Sequence, residues 1–206
     1  MRVIIGCESS GIIREEFIIR GHDAWSCDLL PSEVEGPHIQ DDILNHLDDG
    51  WDLGIFHPPC TYLSYAANKY WNEDGRKEKR DRALEFFLKL YSAPIPKVCV
   101  ENPKGYPNTV FRKPDQVIHP YYFGDRHMKM TCLWIRGLPK LFYSKEDSFF
   151  WKKTFTDLPP VPIYIDRKSG KKRYFIDAIS GKSKNCQTIR SRTFLGIAKA
   201  MAEQWG

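Results

Sequence analysis

The chain of 206 residues predicts a doubly wound, Rossmann-like α/β fold, and three observations carry that expectation. Short apolar runs suited to buried parallel strands alternate with segments of helix length. Those longer segments place their apolar residues at helical spacing. The first four strand candidates each close on a polar cluster: Cys7-Glu8-Ser9-Ser10-Gly11, Asp28, His57-Pro58-Pro59-Cys60 and Glu101-Asn102-Pro103. In open parallel sheets the ligand site lies beyond the carboxyl ends of the strands. Four strand ends therefore point at one crevice.

Taken in order, residues 2–6 (RVIIG) form a short buried strand, and residues 11–20 follow as a helix with Ile12, Ile13, Phe17 and Ile18 on its apolar face. Gly21 stops that helix. Residues 24–27 make a second strand ending at Asp28, and residues 51–56 (WDLGIF) a third. A helix is expected over residues 80–91, where Ala83, Leu84, Phe87, Leu88 and Tyr91 share a face. Residues 97–100 (KVCV) and 131–135 (TCLWI) read as further strands. Residues 158–162 (LPPVP) form a stiff linker, because proline fixes φ and breaks ladders and helices. Residues 163–166 and 173–176 flank RKSGKK as a basic-tipped β-hairpin with Gly170 in its turn. Residues 193–205 close the chain as a helix with Phe194, Ile197, Ala198 and Met201 on one side. The expected organisation is an α/β core over 1–139, a less regular segment with the basic hairpin over 140–190, and a closing helix over 191–206.

Composition narrows the function classes. With 42% hydrophobic and 28% charged residues the chain is globular, not disordered. Its size allows a core without disulfide staples, since a domain of this length buries about 70% of its unfolded surface. No apolar run approaches the roughly 20 residues of a membrane span, and the N-terminus turns acidic before a signal-like region can form. The expectation is a soluble, cytoplasmic, monomeric protein with no membrane partner. Six cysteines stand without Cys-x-x-Cys pairs or a neighbouring His, so no metal site is expected. Charge is divided unevenly: residues 1–60 carry 3 basic and 12 acidic side chains, residues 151–192 carry 11 and 3. An acidic front repels phosphate chains and a basic rear attracts them.

Cys60, at a strand end behind two prolines, is a candidate nucleophile if positive charge or a helix dipole activates its thiol. The other reading is a cysteine packed under a loop. Glu101, ending the neighbouring strand, is a candidate buried acid whose raised pKa lets it donate a proton, or else a helix cap. Spacing alone leaves both pairs of readings open.

These residues resemble a family, the DNA (cytosine-5) methyltransferases, and among them short phage-type members that lack a full target-recognition domain. Asp52, Pro59-Cys60 and Ser64 stand at the spacing of the family's catalytic strand-loop, and Glu101-Asn102-Pro103 resembles its Glu-Asn-Val element. Residues 7–17 followed by Gly21-His22 resemble its cofactor loop and helix. Asp28 resembles the residue that holds the cofactor ribose, and Asp42-Ile43 the pair that meets its adenine. Residues 123–135 resemble the strand whose basic residues face the target base, and residues 190–206 the terminal helix that returns to the cofactor. The resemblance covers the chain except roughly residues 140–190, and it implies a cofactor-binding and catalytic core over 1–139, a reduced target-recognition segment with the basic hairpin over 140–190, and a C-terminal helix over 191–206 that returns to the core.

The resemblance implies an S-adenosylmethionine-dependent methyltransferase fold with a small basic hairpin insertion, acting on cytosine C5 in DNA, double-stranded by preference. Cys60 adds to C6, protonated Glu101 bonds N3, and Lys129 faces the base. S-adenosylmethionine is implied at Cys7, Glu8, Ser10, Gly11, Ile12, Asp28, Leu29, Asp42, Ile43 and Pro58. DNA is implied at Ser64, Arg126, Lys129, Lys171, Lys172 and Arg173. The chain departs from the pattern at Ser9, Thr61 and His127, so that of the family's basic pair only Lys129 is kept, with Arg126 beside it. Two alternatives stay open: the same chemistry on a nucleotide, single strand or RNA, and a non-catalytic DNA-binding protein on this scaffold.

Overall fold

The computed structural model describes residues 1–143, 160–167, 169–174 and 193–206. Among them, seven strands form one sheet: β1 (Arg2–Gly6), β2 (Asp23–Cys27), β3 (His38–Ile39), β4 (Leu53–Phe56), β5 (Lys97–Asn102), β6 (Gln116–Ile118) and β7 (Thr131–Arg136). They lie in the order β3-β2-β1-β4-β5-β7-β6. The first five run parallel, and β7 is antiparallel to both of its neighbours. The order reverses between β1 and β4, which is the switch point where Rossmann-like sheets open a crevice.

Alternation along the strands builds a core on each face. Val3, Ile5, Leu53, Ile55, Cys99 and Leu133 pack on one side with helices α1 (Ile12–Ile19) and α4 (Leu195–Trp205), through Ile13, Phe17, Ile197, Met201 and Trp205. Ile4, Phe56, Val98, Val100 and Trp134 pack on the other with helix α2 (Arg76–Tyr91), through Phe87 and Leu90. Strands buried on both faces need continuous apolar runs, which is why VIIG and LGIF carry no polar position. A short helix α3 (Pro107–Val110) follows β5.

Helix α1 ends as its sequence requires. Gly21 adopts φ 81°, its N–H bonds Ile18 O at 2.8 Å, and the His22 N–H reaches Phe17 O at 3.1 Å. That is a Schellman closure, which needs a left-handed residue after the cap. Helix α2 begins at Arg76, earlier than the apolar pattern indicates, because its first turn behind Gly75 is polar. Strands β3 and β6, of two and three residues, carry too few side chains for a readable period. Strand β4 starts at Leu53, and β5 runs through Glu101 and Asn102, so Glu101 stands on the strand itself.

The hairpin pairs β8 (Tyr164–Ile165) with β9 (Lys172–Arg173), and Gly170, at φ 65°, donates its N–H to Asp166 O at 2.8 Å. Its further arm at 175–176, the linker residues 158–159 and most of the segment 140–190 lie outside the described residues. No helix among the described residues is long and apolar enough to cross a membrane.

Candidate active site

Strands β1 to β5 all end on one edge of the sheet, and the β6–β7 connection, residues 119–130, crosses the same edge. Helix α4 begins there too, because the Gly196 N–H donates to Asp125 Oδ2 at 2.8 Å. Two neighbouring regions of chemistry result.

The first lies beyond β1 and β2. Cys7 is, among the described residues, the one non-glycine with positive φ, 58°, and it swings the chain out of β1. Glu8 follows, only 6% exposed, and its N–H bonds Cys27 O at 3.3 Å. Its Oε1 accepts the Ile12 N–H at 3.0 Å and the Ser10 hydroxyl, so the chain's own carboxylate caps the positive end of α1. Glu8 Oε2 is buried without a hydrogen-bond partner. Gly11 takes φ 73° just ahead of the helix, with the Arg14 guanidinium against it, so a side chain there meets both strain and crowding.

Arg14 is fully buried, and its guanidinium donates to Ser26 Oγ at 2.9 Å and Glu35 O at 2.8 Å. It ties the β2–β3 loop to α1. That loop presents Asp28, whose Oδ1 accepts the Leu30 N–H at 2.9 Å, and Leu29, which is 72% exposed. Asp42 caps the 3₁₀ turn at Ile43–His46 by accepting the Leu44 N–H at 3.0 Å. Burial, then the charges of Asp28, Cys27 and Asp42, hold the Cys7 thiol far above the usual thiol range. Cys27 is pushed up to about 11, by burial first and also by Asp41, Asp28 and Asp42. The crevice is strongly acidic. Of the residues implied for the cofactor, Ile43 is buried in the core with Phe56, where its side chain fills the space over Gly6.

The second region lies beyond β4 and β5. The parallel register pairs Phe56 with Val100, so the next residues, His57 and Glu101, are neighbours. His57 Nδ1 and Glu101 Oε2 share a hydrogen bond of 2.9 Å. Asn102, 1% exposed, donates from Nδ2 to Pro58 O at 2.8 Å and ties the two strand ends together. Cys60 O accepts the N–H groups of Leu63 at 3.1 Å and Ser64 at 2.9 Å, a tight turn that leaves the cysteine exposed. Ser64 bridges Gly105 and accepts the Ala66 N–H on its hydroxyl at 3.1 Å, which gives it a part in shaping this turn.

Lys129 reaches the region from the β6–β7 connection, with Nζ 5.7 Å from the Phe194 ring of the α4 entry. Burial raises the Glu101 pKa, but the His57 hydrogen bond and the charges of Lys129 and His57 outweigh it, and the carboxyl sits below its usual range. The raised pKa expected for Glu101 from the sequence is thus corrected to a lowered one. Burial is real, but the His57 hydrogen bond and the Lys129 charge, both from other elements, decide the sign.

Among the remaining residues, Arg126 is exposed on the same connection, and Lys171 and Lys172 are exposed on the hairpin, where Arg173 belongs to β9. The hairpin's base is close by: the Tyr121 hydroxyl is pushed up to about 12, mainly by burial, with Tyr122, Tyr143 and Tyr174 adding to it. Two features escape sequence reading. One is the His57–Glu101 contact, which only the adjacency and register of β4 and β5 reveal. The other is a cation–aromatic layer behind Cys60, with Arg80 3.8 Å from the Trp71 ring and Arg76 4.9 Å from Tyr62. Its signal is the interleaving of aromatic and basic residues over 61–82. No protein-family model matches the chain, and no curated protein matches it significantly.

Proposed function

We propose that this chain methylates C5 of cytosine in DNA, using S-adenosylmethionine. The observation that carries the reading is the placement, after adjacent parallel strands, of an exposed cysteine, Cys60, and of the Glu101 carboxyl with His57 and Lys129 about it, beside an acidic strand-end region.

The crevice favours a cationic ligand over a phosphate-bearing one. In a dinucleotide-binding Rossmann domain the pyrophosphate sits on the first helix N-terminus. Here that position holds the Glu8 carboxylate, with Asp28 and Asp42 near. A ligand carrying a sulfonium and an ammonium group suits such a field. Glu8 Oε2, buried and unpartnered, is a fitting acceptor for the ammonium, and Asp28 for two ribose hydroxyls. Leu29 offers apolar surface to a base. When bound, the cofactor supplies a sulfonium methyl group, the electrophile that an activated C5 attacks.

The chain's own residues supply the activation. Cytosine C5 is a poor nucleophile until a thiolate adds to C6 and makes it enamine-like. Cys60 provides the sulfur. Glu101 faces the N3 side of the ring, and Lys129 stabilises charge there. Loss of the C5 proton and departure of the Cys60 thiolate restore the aromatic ring. In duplex DNA the base must first leave the stack, at a cost of a few kcal/mol.

Incubation with labelled methyl donor and, separately, duplex DNA, single strands, RNA and free nucleotides tests the reading. Label is expected in DNA, on cytosine C5. With 5-fluorocytosine in DNA a covalent adduct on Cys60 is expected, because fluorine cannot leave as a cation. Cys60→Ser is expected to lose turnover and adduct while still binding the cofactor. Full activity in Cys60→Ser rejects the mechanism, and faster labelling of a nucleotide than of any DNA changes the substrate.

A further inference from the structure

We propose that His57 is the proton partner of Glu101: the imidazole and the carboxyl hold one proton between Nδ1 and Oε2, and give it to N3 of the substrate base. The proposal deepens the reading of this site as a cytosine methyltransferase centre and rests on it.

The geometry is that of a built pair. His57 and Glu101 are 2.9 Å apart, with side chains only 9% and 15% exposed. The His57 N–H is fixed on Gly6 O at 3.0 Å, and the next residue is held through Pro58 O by Asn102. His57 Nε2 is buried with no hydrogen-bond partner, so the ring is oriented by its contact with Glu101. The Glu101 charge raises the thiols of Cys99 on β5 and Cys132 across on β7, while the groups that act on Glu101 come from two other elements: His57 after β4 and Lys129 from the β6–β7 connection. Of these, His57 is the one hydrogen-bonded to the carboxyl, and Lys129 acts through its charge.

A carboxylate held below its usual range by a hydrogen bond to His57 and by the Lys129 charge has no proton of its own to give. Yet addition at C6 needs one. As the sulfur electron pair forms the S–C6 bond, the C5=C6 pair shifts to C4–C5 and the C4=N3 pair moves on to N3. An N3–H bond then forms while the Nδ1–H bond of His57 breaks, the carboxyl receiving the proton at Oε2 and presenting it to the ring. His57 is left neutral. When the C4=N3 bond re-forms the proton returns to the pair, so the account closes over one turnover. His57 is therefore a positioning residue and proton reservoir, acting through Glu101.

Two variants test this in the full chain. His57→Asn keeps an amide N–H where Nδ1 stands but cannot titrate, and His57→Ala removes the contact. Carbon-13 NMR titration of the Glu101 carboxyl requires no catalysis. Its midpoint is expected to rise in His57→Ala, because a group that lowers it has gone; an unmoved midpoint overturns the pair. With 5-fluorocytosine DNA and methyl donor, His57→Asn is expected to form adduct about tenfold or more slowly near neutral pH. It should recover as pH falls and solvent protonates Glu101. A parent-like rate in His57→Asn at every pH overturns the proton role. Absence of adduct in the parent chain, with the NMR midpoint still moved by His57→Ala, overturns the cytosine reading and the proton's destination but leaves the pair.

Discussion

At Glu101 burial and neighbouring charge act in opposite directions, and charge prevails. At Cys7 they act together, and the thiol is held far from ionisation. The two residues are both near strand ends on the same edge of the sheet, yet their neighbours give them opposite characters: beyond β4 and β5 stand Lys129 and His57, beyond β1 and β2 carboxylates. Asp28 belongs to the second. Its carboxylate is anchored through Oδ1 on the Leu30 N–H, and in the proposed function it accepts the ribose hydroxyls. Hydrogen bonds to a charged group contribute roughly 1.5–3 kcal/mol each, so Asp28→Ala is expected to weaken cofactor binding about ten- to hundredfold. Calorimetric titration checks this, and unchanged affinity removes Asp28 from the site. Glu101's ionisation is not legible in the chain, because its determinants stand at positions 57 and 129 and meet it only through sheet adjacency.

Among the elements, the long-range antiparallel strand β7 needs a lock that the parallel core does not. Arg112, after α3, pairs with Asp115 through Nη1–Oδ1 at 2.9 Å and Nη2–Oδ2 at 2.8 Å, and Asp115 Oδ2 also accepts the Ile135 N–H at 2.8 Å. Burial raises the Asp115 pKa, but the Arg112 and Ile135 bonds lower it further, so the net shift is downward. A carboxyl with a depressed folded pKa contributes stability above its unfolded value, near 4, and loses it as pH falls through the folded value. The parent should therefore lose this contribution below about pH 4. Asp115→Asn should be destabilised at neutral pH by about 1–3 kcal/mol and match the parent more closely in acid. Urea melts at several pH values check it; equal melts at neutral pH dismiss the lock. The strands that could be read, β1, β2, β4, β5 and β7, are those with apolar runs long enough to show a pattern. β3 and β6 exist because neighbours template them, and the polar first turn of α2 is stabilised by cation–aromatic contacts rather than an apolar face.

Across the whole molecule Glu8, Asp28 and Asp42 of the acidic first 60 residues gather beyond β1 and β2, and most of the basic side chains lie on later segments. A polyanion is thus repelled from the crevice and drawn to the edge that holds Lys129, Arg126 and the hairpin. The hairpin is suited to meet it. Lys171 and Lys172 are exposed at its tip, and Ile163, Tyr164 and Ile165 leave 56%, 52% and 54% of their surface open. A two-stranded ribbon fits the major groove of DNA, and open apolar surface on such a ribbon marks a contact face rather than a folding unit. Phosphate contacts release counterions, with a slope close to one logarithmic unit per contact. Replacing Lys171, Lys172 and Arg173 together with alanine is therefore expected to weaken DNA binding and flatten its salt dependence by up to about three units of slope. Cofactor affinity should stay as in the parent, since the hairpin adds nothing to the acidic crevice. Few base edges lie within reach of so small a ribbon, so the sequence recognised should be short, about two to four base pairs. Filter binding across a salt series, with methylation of random duplexes read by sequencing, measures both. If the triple variant binds and methylates DNA like the parent at physiological salt, the hairpin is a surface turn, and the phosphate contacts belong to Arg126, Lys129 and the cations behind Cys60.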